Sequence, residues 1–137
     1  MISRHYTILG KPIPLARARI TRHGAYDSQK VEKDNVRNEL LLQHGNGPKW
    51  KGPIHLHITF YMLNTGSKKK QIAREFSRHY SRPDLSNLIK FVEDAAQGVL
   101  FEDDCIISTI TADKKYTRSE SEPFTSFYIT AYEPKGE

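Results

Sequence analysis

Apolar and polar positions follow one another along this chain at two periods, and those periods mark out its elements. Residues 2–9 set Ile2, Tyr6 and Ile8 among polar positions and predict a first strand, ended by Gly10 and the Pro12/Pro14 pair. Leu15 to Arg22 follows and breaks at the turn signal His23-Gly24. Over residues 27–44, Val31, Val36, Leu40 and Leu41 give one apolar side of a helix. Asp27 or Ser28 is placed to cap it, and Gly45-Asn46-Gly47-Pro48 to stop it. From Pro53 to Leu63 the alternation is regular: Ile54, Leu56, Ile58 and Phe60 on one face, His55, His57, Thr59 and Tyr61 on the other. That is a half-buried strand. Ser67 to Arg82 has too little apolar surface to dock firmly and reads as a mobile connection, partly helical. Leu85, Leu88, Ile89, Val92, Ala95 and Ala96 form the stripe of a helix over 85–97, which Gly98 stops. Strands follow at about 105–112 and 124–132. The order predicts an α+β fold, a mixed four-stranded sheet packed with two to three helices.

With 137 residues, 37% of them hydrophobic, the chain can bury a core as one domain spanning 1–137. Its longest apolar runs stop after a few residues, so a membrane span is not expected. The start has no long apolar stretch, which argues against a secretory leader. One cysteine, Cys105, permits neither an internal disulfide nor a cysteine-based metal site, and it reads as a small buried residue in a cytoplasmic protein.

Charge changes the picture once it is divided along the chain. Residues 1–51 hold ten Lys/Arg against four Asp/Glu, and residues 52–82 hold six against one. Residues 83–104 then hold a single lysine against six acids. The basic part has the electrostatics of a polyanion binder, and the 67–82 connection becomes a DNA-facing one. The acidic block beside it is the pattern of a metal-dependent nuclease.

Mg²⁺ takes hard oxygen ligands and keeps several waters, so a few convergent carboxylates suffice. Asp84 opens the 85–97 helix, and the chain returns through Gly98 to Glu102-Asp103-Asp104. The expectation is that Asp103 or Asp104 comes back near the helix start. The plainer alternative is that Asp84 complements the helix dipole and the acidic run ends a loop. Lys90, alone in the acidic block, either supports charge on a phosphate or pairs with Asp94 or Glu93. The histidines at 5, 23, 44, 55, 57 and 79 give no ligand spacing, and a half-exposed strand face explains His55 and His57. There is no Gly-rich phosphate loop and no G-x-S-x-G elbow, which removes P-loop enzymes, kinases and serine hydrolases.

Asp84-Leu-Ser-Asn87-Leu-Ile-Lys90, then Asp94-Ala, Gly98-Val-Leu and Asp103-Asp104, resembles the signature of the RusA family of Holliday junction resolvases. Gly10-Lys-Pro-Ile-Pro14, Arg17-Ala-Arg19 and Gly24-Ala-Tyr26 resemble that family's opening. The resemblance covers nearly the whole chain. It implies a small Mg²⁺-dependent endonuclease (Mn²⁺ a possible substitute), often prophage-borne, that acts as a homodimer on four-way DNA junctions in recombination and repair. It puts catalytic roles on Asp84, Lys90 and Asp104, metal ligation on Asp84, Asp103 and Asp104, and supporting roles on Ser86, Asn87 and Asp94. Arg17, Arg19, Arg22, Lys68, Lys69, Lys70 and Arg82 would hold DNA. The sequence departs from the pattern at Ser86, where the family usually has a second aspartate. Serine caps a helix as well as aspartate does but ligates Mg²⁺ more weakly. The alternative is therefore a weakened or inactive binder of branched DNA with the same fold.

Overall fold

The computed structural model describes residues 2–17 and 19–132. Six strands and three helices follow in the order β1 (Ser3–Leu9), β2 (Arg19–Thr21), β3 (Gly24–Tyr26), α1 (Lys30–His44), β4 (Ile54–Met62), α2 (Lys68–Arg74), α3 (Leu85–Ala96), β5 (Ile107–Tyr116) and β6 (Phe124–Ala131). The main sheet has the order β1-β6-β4-β5; β6 runs antiparallel to both its neighbours, while β4 and β5 are parallel. The predicted mixed four-stranded α+β architecture is therefore present. Tyr6 and Ile8 from β1, Leu56, Ile58 and Phe60 from β4, and Phe127 and Ile129 from β6 point to one side of this sheet. There they meet Val36 and Leu40 of α1 and Leu88, Phe91, Val92 and Ala95 of α3. One sheet face is the core wall.

Several expectations need correcting. Helix α1 docks on Lys33, Val36, Leu40 and His44, while Val31 and Leu41 are 68% and 53% exposed. Only one residue of the Leu40-Leu41-Leu42 run can face inward at helical spacing, and the two buried polar residues are accepted because each finds partners. Lys33 Nζ donates to Asp27 at 2.6 Å and to Asp94 at 3.3 Å. His44 Nε2 donates to the Pro48 carbonyl at 3.0 Å, so its Nδ1 accepts from the Tyr6 hydroxyl at 2.8 Å, which itself accepts from Trp50 Nε1 at 3.1 Å. Neither Asp27 nor Ser28 caps α1: Gln29 holds the cap position, and the Asp27 carboxylate accepts its backbone N–H instead. Strands β2 and β3 form a small separate hairpin that the His23-Gly24 turn announced only in part.

The 67–82 stretch is not a mobile link. Ser67 caps α2 by accepting the Lys70 N–H, and Arg74 Nε donates to the buried Asn64 side chain at 2.7 Å. The residues after α2 pair with the free edge of β5: Phe76 N–H with Tyr116, His79 N–H with Lys114, and Tyr116 N–H with Ser77. Backbone hydrogen bonds to a sheet edge dock this segment where apolar surface is lacking. Strand β5 begins later than predicted, because Asp104–Ile106 forms a 3₁₀ turn, and it runs on to Tyr116. That turn projects Cys105 into solvent, so the residue is exposed, not buried.

Candidate active site

Helix α3 carries most of the candidate residues, and its sequence explains why. Its apolar side is buried, leaving a polar stripe at Ser86, Lys90, Glu93 and Gln97, with Asn87 and Asp94 flanking it, that the helical repeat brings into line. Gly98, at a φ of 87°, lets the chain reverse tightly, and its N–H donates to the Phe101 carbonyl at 2.7 Å. The return brings the acidic run to the end of α3. The Asp104 N–H donates to Gln97 Oε1 at 3.3 Å, and the Asp104 and Glu93 carboxyls lie close enough to perturb one another's ionisation.

Two carboxyls close together, with others nearby, titrate abnormally. Burial first, and then the Asp104 and Asp94 charges, raise the Glu93 pKa, while Lys90 opposes the shift. Burial likewise raises Asp104, helped by Asp103 and Asp94. Asp103 goes the other way, because its carboxylate accepts the Cys105 N–H at 2.9 Å. Asp94 is drawn aside: its carboxylate meets Lys33, and its backbone carbonyl accepts from Arg37 at 3.1 Å. Lys90 thus has no ion-pair partner among the described residues, and its expected pairing with Asp94 is not made.

The chain's return overturns one expectation. Asp103 and Asp104 come to the end of α3, and Asp84 stands at its start, with about 13 Å of helix axis between Asp84 and Glu93. Asp84, not Ser86, occupies the N-cap position; Ser86 is the second residue inside the helix and leaves the side opposite to Asp84. Asp84 and Asn87 instead line an open groove of about 460 Å³ with Lys11, Leu15 and Arg82. The Leu15 N–H donates to the Asn87 carbonyl at 2.9 Å and fixes that wall. Lys114 Nζ donates to the carbonyls of Ser81 and Pro83, the latter at 2.6 Å, and fixes the approach to Asp84.

Of the residues expected to hold DNA, Arg17 and Arg22 are exposed beside or within the β2–β3 hairpin, and Arg82 is exposed at the groove. Arg19 lies on β2, and its side chain is outside the described part. Lys68, Lys69 and Lys70 form the exposed first turn of α2. His55 and His57 lie with parallel rings 6.1 Å apart, and His55 Nε2 is bonded to Thr111 at 2.9 Å. Glu93 entered the sequence reading only as a partner for Lys90 and, with Asp94 and Glu102, as an acid able to supply the oxygen that Ser86 lacks, not as a named site residue. The signal was its place three residues after Lys90 on the polar side of α3, beside the returning acidic run.

The family model described as endodeoxyribonuclease RusA matches residues 10–122, which take in both ends of α3 and the returning acidic turn. The chain belongs to the RusA endodeoxyribonuclease family. A curated relative, "Uncharacterized protein YqaN" of Bacillus subtilis (strain 168), is 23% identical over 123 residues, covering 82% of this chain and 87% of its own. For a RusA family member the hard-oxygen set at Glu93 and Asp104 is chemically apt. Two neighbouring carboxyls whose charges disfavour each other are a place where a divalent cation would relieve the repulsion. Among the described residues no group of three or more such ligands converges on one point. Mg²⁺ is commonly held by one or two carboxylates plus water and substrate phosphate, so the pair fits it.

Proposed function

We propose that this chain is a divalent-metal-dependent, structure-specific endonuclease that resolves four-way DNA junctions by paired nicks, working as a homodimer in the cytoplasm. The observation that carries the reading is the Glu93–Asp104 carboxyl pair beside an unpaired Lys90, in a chain of an endodeoxyribonuclease family. Glu93 and Asp104 would hold Mg²⁺, or Mn²⁺ in its place, with Asp103 at the rim. The ion supplies positive charge to the scissile phosphate and makes water a stronger acid. Lys90, on the same stripe of α3, reaches the phosphate and stabilises the charge that grows on it. Lys33 and Arg37 hold Asp94 back, so its charge stays beside the pair without closing the site.

At the other end of α3, Asp84 does not ligate the ion held by Asp104. It lines one wall of the groove at the helix start, while Lys11 and Arg82 take a neighbouring backbone phosphate. Arg17, Arg22 and the Lys68–Lys70 turn add affinity that falls with salt. Two copies related by a two-fold axis would present two such sites to the two opposing strands of a junction.

The test is a labelled four-way junction incubated with and without Mg²⁺. Paired nicks that need the metal, and that Asp104→Asn abolishes while still retarding the junction, are expected. A junction that the wild-type protein shifts but leaves intact would favour the non-catalytic binder instead. Light scattering should give twice the 15.8 kDa of one chain, and a single-chain mass at nicking concentrations would refute the dimer.

A further inference from the structure

The core uses one face of the main sheet. Among the described residues no helix covers the other face, and what it presents is unusual for an outer surface. One row crosses all four strands in register: His5 on β1, Tyr128 on β6, His57 on β4 and Thr111 on β5. The His5 and Tyr128 rings lie 4.6 Å apart, and His57, His55 and Tyr132 continue as a series of near-parallel rings. Tyr128 is 48% exposed, and His5 and His57 are exposed as well. Four residues along β6, about 13 Å away, Phe124 stacks on Tyr61 at 4.6 Å, and the Phe76 ring meets Tyr61 edge-on. Phe76 is half-exposed and sits at a φ of 59°, a left-handed conformation that a bulky residue rarely adopts and that collects at functional positions.

Charge narrows the choice of occupant. Asp113 is the carboxylate on this face of β5, and Arg78 pairs with it at 2.7 Å; Lys115 lies two residues further along the same face. The face is thus neutral to positive, with aromatic rings open to contact. Between the two aromatic groups runs a row of Thr7, Ser126 and Thr59, too polar for the apolar centre of a stable protein interface. Ring faces of a duplex are already stacked and cannot lie on a flat sheet, whereas unpaired bases offer theirs.

We propose that the open sheet face is a second nucleic-acid site, which takes unpaired nucleotides. Bases stack on the Tyr128–His57 group and on the Tyr61–Phe124 group, and the strand's phosphates run past Lys115 and Arg78. The site is separate from the carboxyl pair on α3, and it stands whether or not that pair cleaves DNA.

The experiment is done in EDTA, so that cleavage plays no part, with fluorescein-labelled oligothymidylate as probe and a blunt duplex of equal length as comparison. Polarisation should show that Tyr128→Ala binds the single strand about tenfold more weakly than wild type, the scale of one lost base–aromatic stack. Tyr128→Phe should bind within about twofold, because it keeps the ring. Loss on the duplex should be smaller. An oligonucleotide carrying 5-iododeoxyuridine should photo-cross-link to Tyr128, His57 or Tyr61 of the wild-type protein, a readout that stands even if the alanine variant fails to fold. Unchanged single-strand affinity in a folded Tyr128→Ala/His57→Ala protein would overturn the proposal, as would cross-links found only on the β2–β3 hairpin and α2. A fall from dimer to monomer mass in that variant, with single-strand binding intact, would make the face an interface between two copies and overturn it too.

Discussion

Glu93→Gln gives the most direct test of the carboxyl pair, because the reasoning fixes a sign that ordinary destabilising substitutions do not share. Burial and the Asp104 charge raise Glu93 above its usual value, and burial with Asp103 and Asp94 raises Asp104, against an opposing effect of Glu93. A carboxyl whose folded-state pKa is raised contributes stability below its unfolded value, and that contribution is lost as pH rises through the folded value. The pair therefore weakens the metal-free protein at neutral pH. Two unit charges about 4 Å apart interact by roughly 4 kcal/mol at a dielectric near 20. Glu93 is partly open to water, and screening cuts that to about 1 kcal/mol of relief on neutralising one partner. Glu93→Gln should then be more stable than wild type by about 1 kcal/mol at pH 7.5 in EDTA, or roughly 3 °C in Tm for a chain of this size. Urea unfolding at a series of pH values would measure it. The gain should shrink toward zero as pH falls to the ordinary carboxyl range, where the wild-type pair is neutral as well. Added Mg²⁺ should stabilise the wild type and have much less effect on the variant. A Glu93→Gln protein that is less stable at pH 7.5 in EDTA, or one that Mg²⁺ stabilises as much as wild type, would refute the pairing.

Other consequences are as specific. Tyr6→Phe removes a fully buried hydroxyl that links Trp50 Nε1 to His44 Nδ1, and stranding those two groups should cost about 2 kcal/mol in urea unfolding with nicking retained. Lys33→Met should lower Tm at neutral pH. The Lys33 bond holds the Asp27 pKa below its ordinary 3.8, a contribution present above that value and lost as pH falls, so the difference from wild type should narrow below it. Ser86→Asp puts an acid in the first turn of α3, four residues before Lys90, and should raise stability by about 0.5–1 kcal/mol. Because position 86 faces away from Asp84 and lies two helical turns from Glu93, the Mg²⁺ concentration for half-maximal nicking should stay the same; a marked fall would mean that position 86 reaches the ion after all.

The elements whose patterns involve only near neighbours were legible in the sequence. The alternation from Ile54 to Phe60 and the stripe from Leu85 to Ala96 predicted β4 and α3 because each buries one side against a single partner. What went unread depends on distant partners. Lys33 and His44 became core residues of α1 because Asp27, Asp94, Tyr6 and Pro48 satisfy them, and no local pattern announces that. The 76–80 stretch docks through backbone bonds to the β5 edge, which side-chain hydropathy cannot register. The acidic residues of the site were visible by type and order. Their meeting place was not, since a reversal at Gly98 closes on the end of the preceding helix as readily as on its start. Glu93 could not be singled out from Asp94 and Glu102, because an acid on the solvent side of a helix is ordinary until another carboxyl is folded against it.

The separation of the two ends of α3 then acquires a use. A helix is a rigid spacer of about 1.5 Å per residue, so α3 keeps Asp84 about 13 Å along its axis from Glu93, the residue beside Asp104. A DNA strand in a duplex advances about 3.4 Å per phosphate, so that length corresponds to roughly four nucleotides. On the proposed reading, a junction arm lying along the polar side of α3 has one stretch of backbone held at the Lys11–Arg82 groove while a phosphate roughly four nucleotides away meets Lys90, Glu93 and Asp104. The cations stand where DNA must be held, and the acids where only a metal ion makes the approach of a phosphate favourable. Along α3, binding without metal then belongs to the groove end, and hydrolysis waits for the ion at the other. That division of one helix between holding and cutting follows from where Gly98 returns the chain, and bringing Asp104 back to Asp84 would have erased it.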